Sequence, residues 1–536
     1  MSMSSSRERH GSVCSTKGRL EDLVWRNVFV ESLPEDPVQD NRTRQVEGAM
    51  FTRVKPTATG TEPTLVIGSD SMASTIGLSP SEFNRPEFPL IFSGNAICPG
   101  SDPYAQCYGG HQFGQWAGQL GDGRAISLGE VEQPGSDGVR WELQLKGAGR
   151  TPYSRMADGR AVLRSSVREY VASEVMAALG VPTTRALSLV MTGDEVLRDM
   201  FYNGNAQMEP GAVVCRVARS FVRFGSFQLP ASRGDFDLVK TLADFVMKEY
   251  YPECGSYKEF FSTVCRKTGV MIAEWQRVGF THGVCNSDNY SILGDTIDYG
   301  PYGWMERFDP NFTPNTTDLP GRRYCFQSQP SIGQWNLLQL ARALVAAGLF
   351  DESAAEEGMS AYVDSLMETY NGNMAKKLGM KTFDKDITNK LLMLMYESQA
   401  DYTNTFRALG AVDLDLAIRL NEVPTKLRKC FGDSFDDEKE MAWMAWLKDY
   451  SAIVKAQGVQ DKERFEIQSR ANPTIVPRNH VMVSIISDVE QGDFSSLREY
   501  MDALMNPYSE ENLKDWWLEP APSQPRLGVE LLSCSS

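Results

Sequence analysis

An α+β chain in two lobes, continued by a C-terminal helical region, is the fold class this sequence predicts. Three observations carry that prediction. The N-terminal part holds alternating runs such as Trp141-Glu-Leu-Gln-Leu-Lys146, which read as strands, whereas from Asp235 onward apolar residues recur at helical spacing. A glycine-rich stretch, Gly118-Gln-Leu-Gly121-Asp-Gly123-Arg124, precedes the strand-like Ala125-Ile-Ser-Leu128; Lys146 ends the next strand, and Glu169 follows inside a helical stretch. Finally, Thr281 to Gly300 (THGVCNSDNYSILGDTIDYG) gathers Asp288, Asn289 and Asp298, oxygen ligands of the kind that suit Mg²⁺ or Mn²⁺ between protein and nucleotide phosphates.

The last stretch organises the rest. Tyr290 to Leu293 and Thr296-Ile297 read as short strands about a Gly294-Asp295 turn, a hairpin that brings Asn289 and Asp298 together. In protein kinases these two jobs fall to the catalytic-loop Asn and to the Asp of D-F-G, whose place Asp298-Tyr299-Gly300 takes here. The kinase base lies five residues before the Asn. That position is Val284, which cannot accept a proton; Asp288 is the nearest carboxylate that could substitute. The plain alternative is that Asn-Asp and Asp-Gly pairs only form turns.

In chain order, residues 1–19 are a Ser-rich segment with Arg7, Arg9 and Lys17, a disordered tail or a short targeting segment. Residues 20–235 form an elaborated N-lobe. Closely spaced glycines let backbone N–H groups approach phosphate. Val162, Val167, Val171, Val175 and Met176 make one helical face, ended by Gly180-Val181-Pro182. Gly loop, strand Lys146 and helix Glu169 follow the order of a kinase N-lobe, although each charge read singly is as well a solvated one. Asp158-Gly159 lies in a polar turn after the lysine. Arg216 and Arg223 stud an apolar segment, Val213 to Gly225; held in strands, they would either grip phosphate or pair with acids of this acidic chain. Residues 236–345 read as a helical C-lobe carrying the catalytic and metal-binding loops, with Met72 to Leu78 an earlier helical signal and 301–323 loop-like. Residues 346–520 continue as helices at Leu366, Leu391–Met395, Met441–Trp443, Val481–Val489 and Leu497–Leu504, and 521–536 form a tail with Cys534.

Composition narrows the function classes. The chain has 536 residues, 42% hydrophobic, with a net charge of −16, so a folded soluble protein is expected and a general nucleic-acid binder is not. No apolar run approaches a bilayer span. Ten scattered cysteines show no C-x-x-C and no zinc spacing, which suits reduced thiols inside a cell.

Taken together, YGGHQFGQWAGQLGDGRA, WELQLKGAGRTPYSR, DGRAVLRSSVREY, VPTTRAL, SFVRFGSF, THGVCNSDNYSILGDTIDYGPYG, QPSIGQWNL and NPTIVPRNH resemble the selenoprotein O family, called YdiU in bacteria, from about Leu20 to the C-terminus. The resemblance implies a kinase-like fold once classed as pseudokinase, which binds ATP inverted and transfers AMP to Ser, Thr or Tyr hydroxyls of proteins, with Mg²⁺ or Mn²⁺ as cofactor. It implies Asp288 as proton acceptor, Asn289 and Asp298 as metal ligands, and Lys146 paired with Glu169 on the triphosphate. Gly121, Gly123, Arg124, Asp158, Gly159, Arg216 and Arg223, with Asp298, would complete the ATP site. Many eukaryotic members end in Cys-x-x-selenocysteine-Ser-Ser; here Leu531 and Cys534 stand there, so a local redox pair is absent. A monomer is expected, in a mitochondrion or plastid for a eukaryotic source and otherwise in cytoplasm. Two readings compete with AMP transfer: a phosphotransferase, disfavoured by Val284, and a non-catalytic ATP-binding scaffold, disfavoured by the intact Lys146, Asn289 and Asp298.

Overall fold

The computed structural model describes residues 18–200 and 204–521. The serine-rich start (residues 1–17) and Cys534 lie outside them. At its centre is an eight-stranded antiparallel sheet. β1 (Phe51–Arg53), β3 (Tyr104–Gln106), β6 (Ala125–Glu132), β7 (Arg140–Lys146), β10 (Gln207–Ala218), β9 (Arg185–Arg198) and β2 (Thr64–Gly68) lie side by side in that order, and β8 (Ala161–Val162) pairs with β10. β4 (Gly109–Gln112) and β5 (Gln115–Gln119) form a separate hairpin.

β7 shows how alternation sets the two faces. Leu143 and Leu145 enter an apolar cluster with Ile126, Leu128, Val213 and Cys215. Glu142, Gln144 and Lys146 point the other way, where the register sets Gln144 between Ser127 and Arg216, and Lys146 between Ala125 and Val214. Over that polar stripe lies α1 (Leu163–Ala178), whose Val167, Val171, Val175 and Met176 join the central core. The expected apolar face is present except for Val162, which is extended and belongs to β8 because it pairs with Gly211 before the helix starts. The chain leaves α1 through Gly180 at φ +80°, as the Gly-Val-Pro stop predicts.

The remainder is mainly helical. α2 (Phe224–Ser232), α3 (Phe236–Tyr250), α4 (Tyr257–Val278), α5 (Gln329–Ala346), α6 (Glu352–Lys377), α7 (Lys385–Glu397), α8 (Asp437–Ala456), α9 (Asn479–Glu490) and α10 (Ser495–Leu504) follow in order. α4 is capped by the Ser256 hydroxyl, which accepts from the Glu259 N–H, and ends at Gly279 with φ +71°. It hands the chain to β11 (Phe280–Thr281), which pairs with β12 (Gly303–Trp304) and so closes the loop that holds the 282–302 segment. Residues 475–517 of the C-terminal helical region belong to the central core, together with Phe29, the α1 valines and the apolar residues of α5, whereas Met305, Phe308, Phe326 and the buried apolar residues between Met374 and Val459 gather a core of their own. Among the described residues no helix is long and apolar enough to cross a membrane.

Two local expectations need correction. The 290–297 segment is not a two-stranded hairpin but a turn with one bridge, Tyr290 to Thr296. Its backbone is engaged elsewhere: Ile292 N–H donates to Val222, Tyr290 C=O accepts from Phe224, and Thr296 N–H donates to Pro182. Arg223, expected in a strand, is instead the extended residue just before α2.

Candidate active site

Five segments of the chain converge on one buried polar cluster. Lys146 Nζ, at the end of β7, lies 2.6 Å from Glu169 Oε2 on α1. Arg216 of β10 donates from Nη1 to Glu169 Oε1 (3.3 Å) and to Asp298 Oδ1, and from Nη2 to Gln144 Oε1. Arg223 donates from Nη1 to the other Asp298 oxygen (2.5 Å) and to the Asp288 carbonyl (2.9 Å), while its guanidinium lies 4.4 Å from the centre of the Tyr108 ring. Asp298 is therefore held between two arginines in a left-handed backbone conformation, φ +58°, which a short polar residue tolerates. Glu169, Arg216 and Arg223 are nearly inaccessible, yet the Asp298 side chain is 22% exposed. It is the most exposed member of the cluster, ahead of Lys146 at 12%.

Charge separates the carboxylates. Burial pushes Asp298 up, but Arg223, Arg216 and Lys146 outweigh it and hold the carboxyl well below its usual range. Burial also pushes Asp288 up, to about 6, more than its hydrogen bonds and Arg223 pull it down. Lys146 is lowered by burial, partly offset by Glu169. Three basic side chains, Lys146, Arg216 and Arg223, face two carboxylates, Glu169 and Asp298. On a chain with net charge −16 this is a local positive centre suited to phosphate.

Asp288 and Asn289 occupy a short 3₁₀ turn, Ser287–Asn289. Asn289 Nδ2 donates to the Val284 carbonyl (2.9 Å), so the residue at the expected base position orients the amide and leaves its oxygen as the end able to ligate. His282 supports the same loop. Val284 N–H donates to its Nδ1 (3.3 Å), so the proton sits on Nε2, which donates to the Ile297 carbonyl at 2.8 Å. Asp288 Oδ2 accepts from Gln112 Nε2 (3.2 Å), while Oδ1 is buried and, among the described residues, has no hydrogen-bond partner. A buried acceptor left without a donor is primed to receive one.

Of the glycine-rich stretch, Asp122 joins the cluster's hydrogen bonds through Gln144, whereas among the described residues Gly121, Gly123 and the Asp158 turn bond elsewhere. Gly121, at φ +79°, presses on the Tyr153 ring, and a Cβ on Gly123 would come 2.9 Å from the Tyr153 carbonyl. Arg124 C=O accepts from Gly147 N–H (2.7 Å), and the Arg124 charge is felt at Lys146. Gly159 packs on Gly149, where a Cβ would meet backbone at 2.2 Å. The Asp158 carboxylate is paired with Arg198 at 2.7 Å and accepts from Arg160 N–H.

Residues 39–505 match the family model described as "Protein adenylyltransferase SelO". Similar proteins include the protein nucleotidyltransferase YdiU of Azoarcus sp. (strain BH72), 48% identical over 96% of this chain and 100% of the relative. The proteins of the same name from Tolumonas auensis and Rhodopirellula baltica are 45% and 44% identical, each over 96% of this chain and 99% of the relative. This chain belongs to the SelO family.

Sequence reasoning passed over three residues that the fold brings to this cluster. Gln112 touches Asp288 directly, and a Cβ on Gly110 would fall 2.5 Å from Asp288 Oδ1. The β4–β5 hairpin that carries both is tied to the loop by His111 N–H to Ser287 Oγ (2.8 Å) and Phe113 N–H to Tyr324 OH (2.8 Å). Their signal was present in Tyr108-Gly-Gly-His-Gln112, which a phosphate-loop reading left unused. Asp122, between the two loop glycines, is a third: it accepts from Gln106 N–H (3.0 Å) and Gln144 (3.2 Å), and burial pushes it up to about 6.

The donors present fit a hard divalent cation. Asn289 offers an amide oxygen, and each Asp298 oxygen keeps lone-pair capacity beyond its arginine bond. Among the described residues no group of three His, Cys, Asp or Glu could hold a metal by itself. A pair of oxygen ligands completed by phosphate is the pattern of Mg²⁺.

Proposed function

We propose that this chain is a protein adenylyltransferase, moving AMP from ATP to Ser, Thr or Tyr hydroxyls of proteins. The observation that carries this reading is the pairing of a fully charged Asp298, gripped by Arg216 and Arg223, with a buried, unpartnered oxygen on neighbouring Asp288. It supports a kinase-like frame of two lobes, residues 20–235 and 236–345, in which Lys146 and Glu169 take the place of the kinase ion pair.

The triphosphate is bound by Lys146, Arg216, Arg223 and Arg124, with Gly121, Gly123, Asp158 and Gly159 lining the nucleotide. Asn289 and Asp298 hold Mg²⁺ or Mn²⁺, which when bound neutralises phosphate charge. Asp288 Oδ1 accepts the proton of the acceptor hydroxyl, a base suited to neutral pH because burial raises its affinity for a proton only to about 6. The hydroxyl oxygen bonds to the α-phosphorus as the bond from α-phosphorus to the bridging oxygen breaks. The bonding pair leaves on pyrophosphate, which departs toward the buried cations.

The test uses the whole protein with Mg²⁺ and ATP labelled at the α- or the γ-phosphate. Label from the α position alone, lost in Asp298→Ala, is the expected result. Label from the γ position would make it a phosphotransferase. ATP binding without label from either, against a panel of candidate acceptor proteins, would favour the scaffold reading.

A further inference from the structure

The segment Asn472 to His480, distinctive in sequence, contributes no atom to the nucleotide cluster, yet it is heavily engaged. Arg478 is buried and paired with Asp401 at 2.8 Å and with Glu306 at 3.3 Å. Its neighbour Asn479, at the start of α9, accepts at Oδ1 from Arg168 Nη1 (3.0 Å). Arg168 is the residue before Glu169 on α1. Its Nη2 donates to the Tyr302 carbonyl (2.7 Å), its guanidinium stacks 4.3 Å from the Tyr302 ring centre, and Tyr302 OH donates back to the Arg168 carbonyl (2.7 Å). Tyr302 lies four residues after Asp298.

Among the described residues, Arg168 has no carboxylate within ion-pair distance, and it is 4% exposed. A buried cation held only by an amide oxygen, a carbonyl and a ring is a costly way to fill space, since an apolar side chain would pack there at lower cost. What the arginine supplies is direction: it fixes α1, the 298–302 loop and α9 to one another at hydrogen-bond precision. α1 thus presents Glu169 to Lys146 and Arg216 on one side, and Arg168 to Tyr302 and Asn479 on the other.

We propose that Asn479, acting through Arg168 and Tyr302, is a positioning residue that sets Glu169 and Asp298 at the spacing the nucleotide requires. The C-terminal helical region is thereby part of the ATP site's scaffold. This rests on the reading of Glu169 and Asp298 as ATP-site residues.

The experiment compares wild type, Asn479→Ala, Asn479→Asp and Tyr302→Phe in two assays. One is AMP transfer from α-labelled ATP; the other is binding of α,β-methylene-ATP, which cannot release AMP. A hydrogen bond to a charged group is worth enough that Asn479→Ala should weaken analogue binding and lower kcat by about tenfold or more, with KM for the acceptor protein unchanged. Asn479→Asp, which restores an oxygen to Arg168, should recover to within about twofold of wild type. Wild-type binding and kcat in Asn479→Ala, or an Asp variant as defective as the Ala variant, would overturn the proposal. If Asn479→Ala does not fold, Tyr302→Phe decides: it removes only the hydroxyl bond to Arg168, and a loss of about threefold in kcat is expected, no loss being fatal. Should wild type transfer no AMP, the analogue assay still judges the positioning role, so the two readings fail separately.

Discussion

Gly110 sits where a side chain would strike Asp288: a methyl group there would lie 2.5 Å from Oδ1 and 2.7 Å from the aspartate Cβ. Gly110→Ala must therefore push the carboxylate aside or splay the β4–β5 hairpin. If Asp288 is the base proposed above, misplacing it by an ångström costs up to about a hundredfold, so kcat should fall at least about tenfold while the thermal midpoint moves little. A Gly110→Ala enzyme with full kcat would show that Asp288 need not stand where it does. Glu130 gives a prediction in pH. Burial pushes its carboxyl up to about 7, against the Phe29 N–H and Arg140 that pull it down. The folded state thus binds this proton more tightly than the unfolded chain, whose value is about 4.5. Its contribution to stability is complete at the acid end of that window and declines as pH rises from about 4.5 to about 7, by roughly 3 kcal/mol at most. Glu130→Gln has no proton to lose and should be less destabilised than wild type between pH 5 and pH 8. Parallel melting curves for the two proteins across that range would refute the assignment. At this scale legibility followed residue type. Lys146, Glu169, Asn289 and Asp298 announce themselves by charge and order, whereas the part played by Gln112 depends on a contact 176 positions away in the chain.

Elements were legible where their period was long and their partners lay nearby. β7 and α1 stand where alternation and the valine spacing placed them, and Gly180 ends α1 as expected. The 290–297 turn departs from the hairpin that local strand pairing predicts, because its N–H and C=O groups bond to Val222, Phe224 and Pro182. Arg223 left the strand reading for the same reason, its backbone being taken up at the entrance to α2. The end of α6 poses a different problem. Lys377 is 1% exposed, with its ammonium 3.9 Å from the Phe406 ring centre and 5.0 Å from that of Tyr402, and among the described residues no carboxylate lies within ion-pair distance. Burial lowers its affinity for a proton well below that of a free lysine. Methionine has nearly the same length and loses no hydration on folding, so Lys377→Met should hold or raise the thermal midpoint. A destabilisation of more than about 1 kcal/mol would mean that the ammonium stabilises the two rings by more than its desolvation costs.

Over the whole molecule, the sequence places a helical region after the part that carries the sheet but does not reveal how it is shared between cores. The buried apolar residues between Met374 and Val459 gather a core of their own with Met305, Phe308 and Phe326, and residues 475–517 complete the core that starts at Phe29 and includes α5. The reason is contact made late in the chain. Arg498 donates to the Val66 carbonyl of β2 (3.1 Å), Tyr508 OH to the Leu179 carbonyl (3.1 Å), and Arg277 of α4 to Tyr508 OH (2.9 Å). α9 and α10 rest on α1, so Val481, Ile485, Leu497 and Trp517 cover apolar surface in the same core as the α1 valines that stand behind Glu169. Burying one such side chain is worth about 1.5–3 kcal/mol, and several together match the whole stability of an ordinary domain. A chain ended after Ala471 is thus expected to lose more than its last helices: α1 loses its cover, and Glu169 its fixed distance from Lys146. Such a truncation should show no cooperative melt for the sheet and no measurable binding of ATP, although every residue of the nucleotide cluster is still in it. Calorimetry and an ATP titration on the truncated chain test this directly. If it melts cooperatively and binds ATP as the full chain does, α9 and α10 are an appendage, and the central core closes without them.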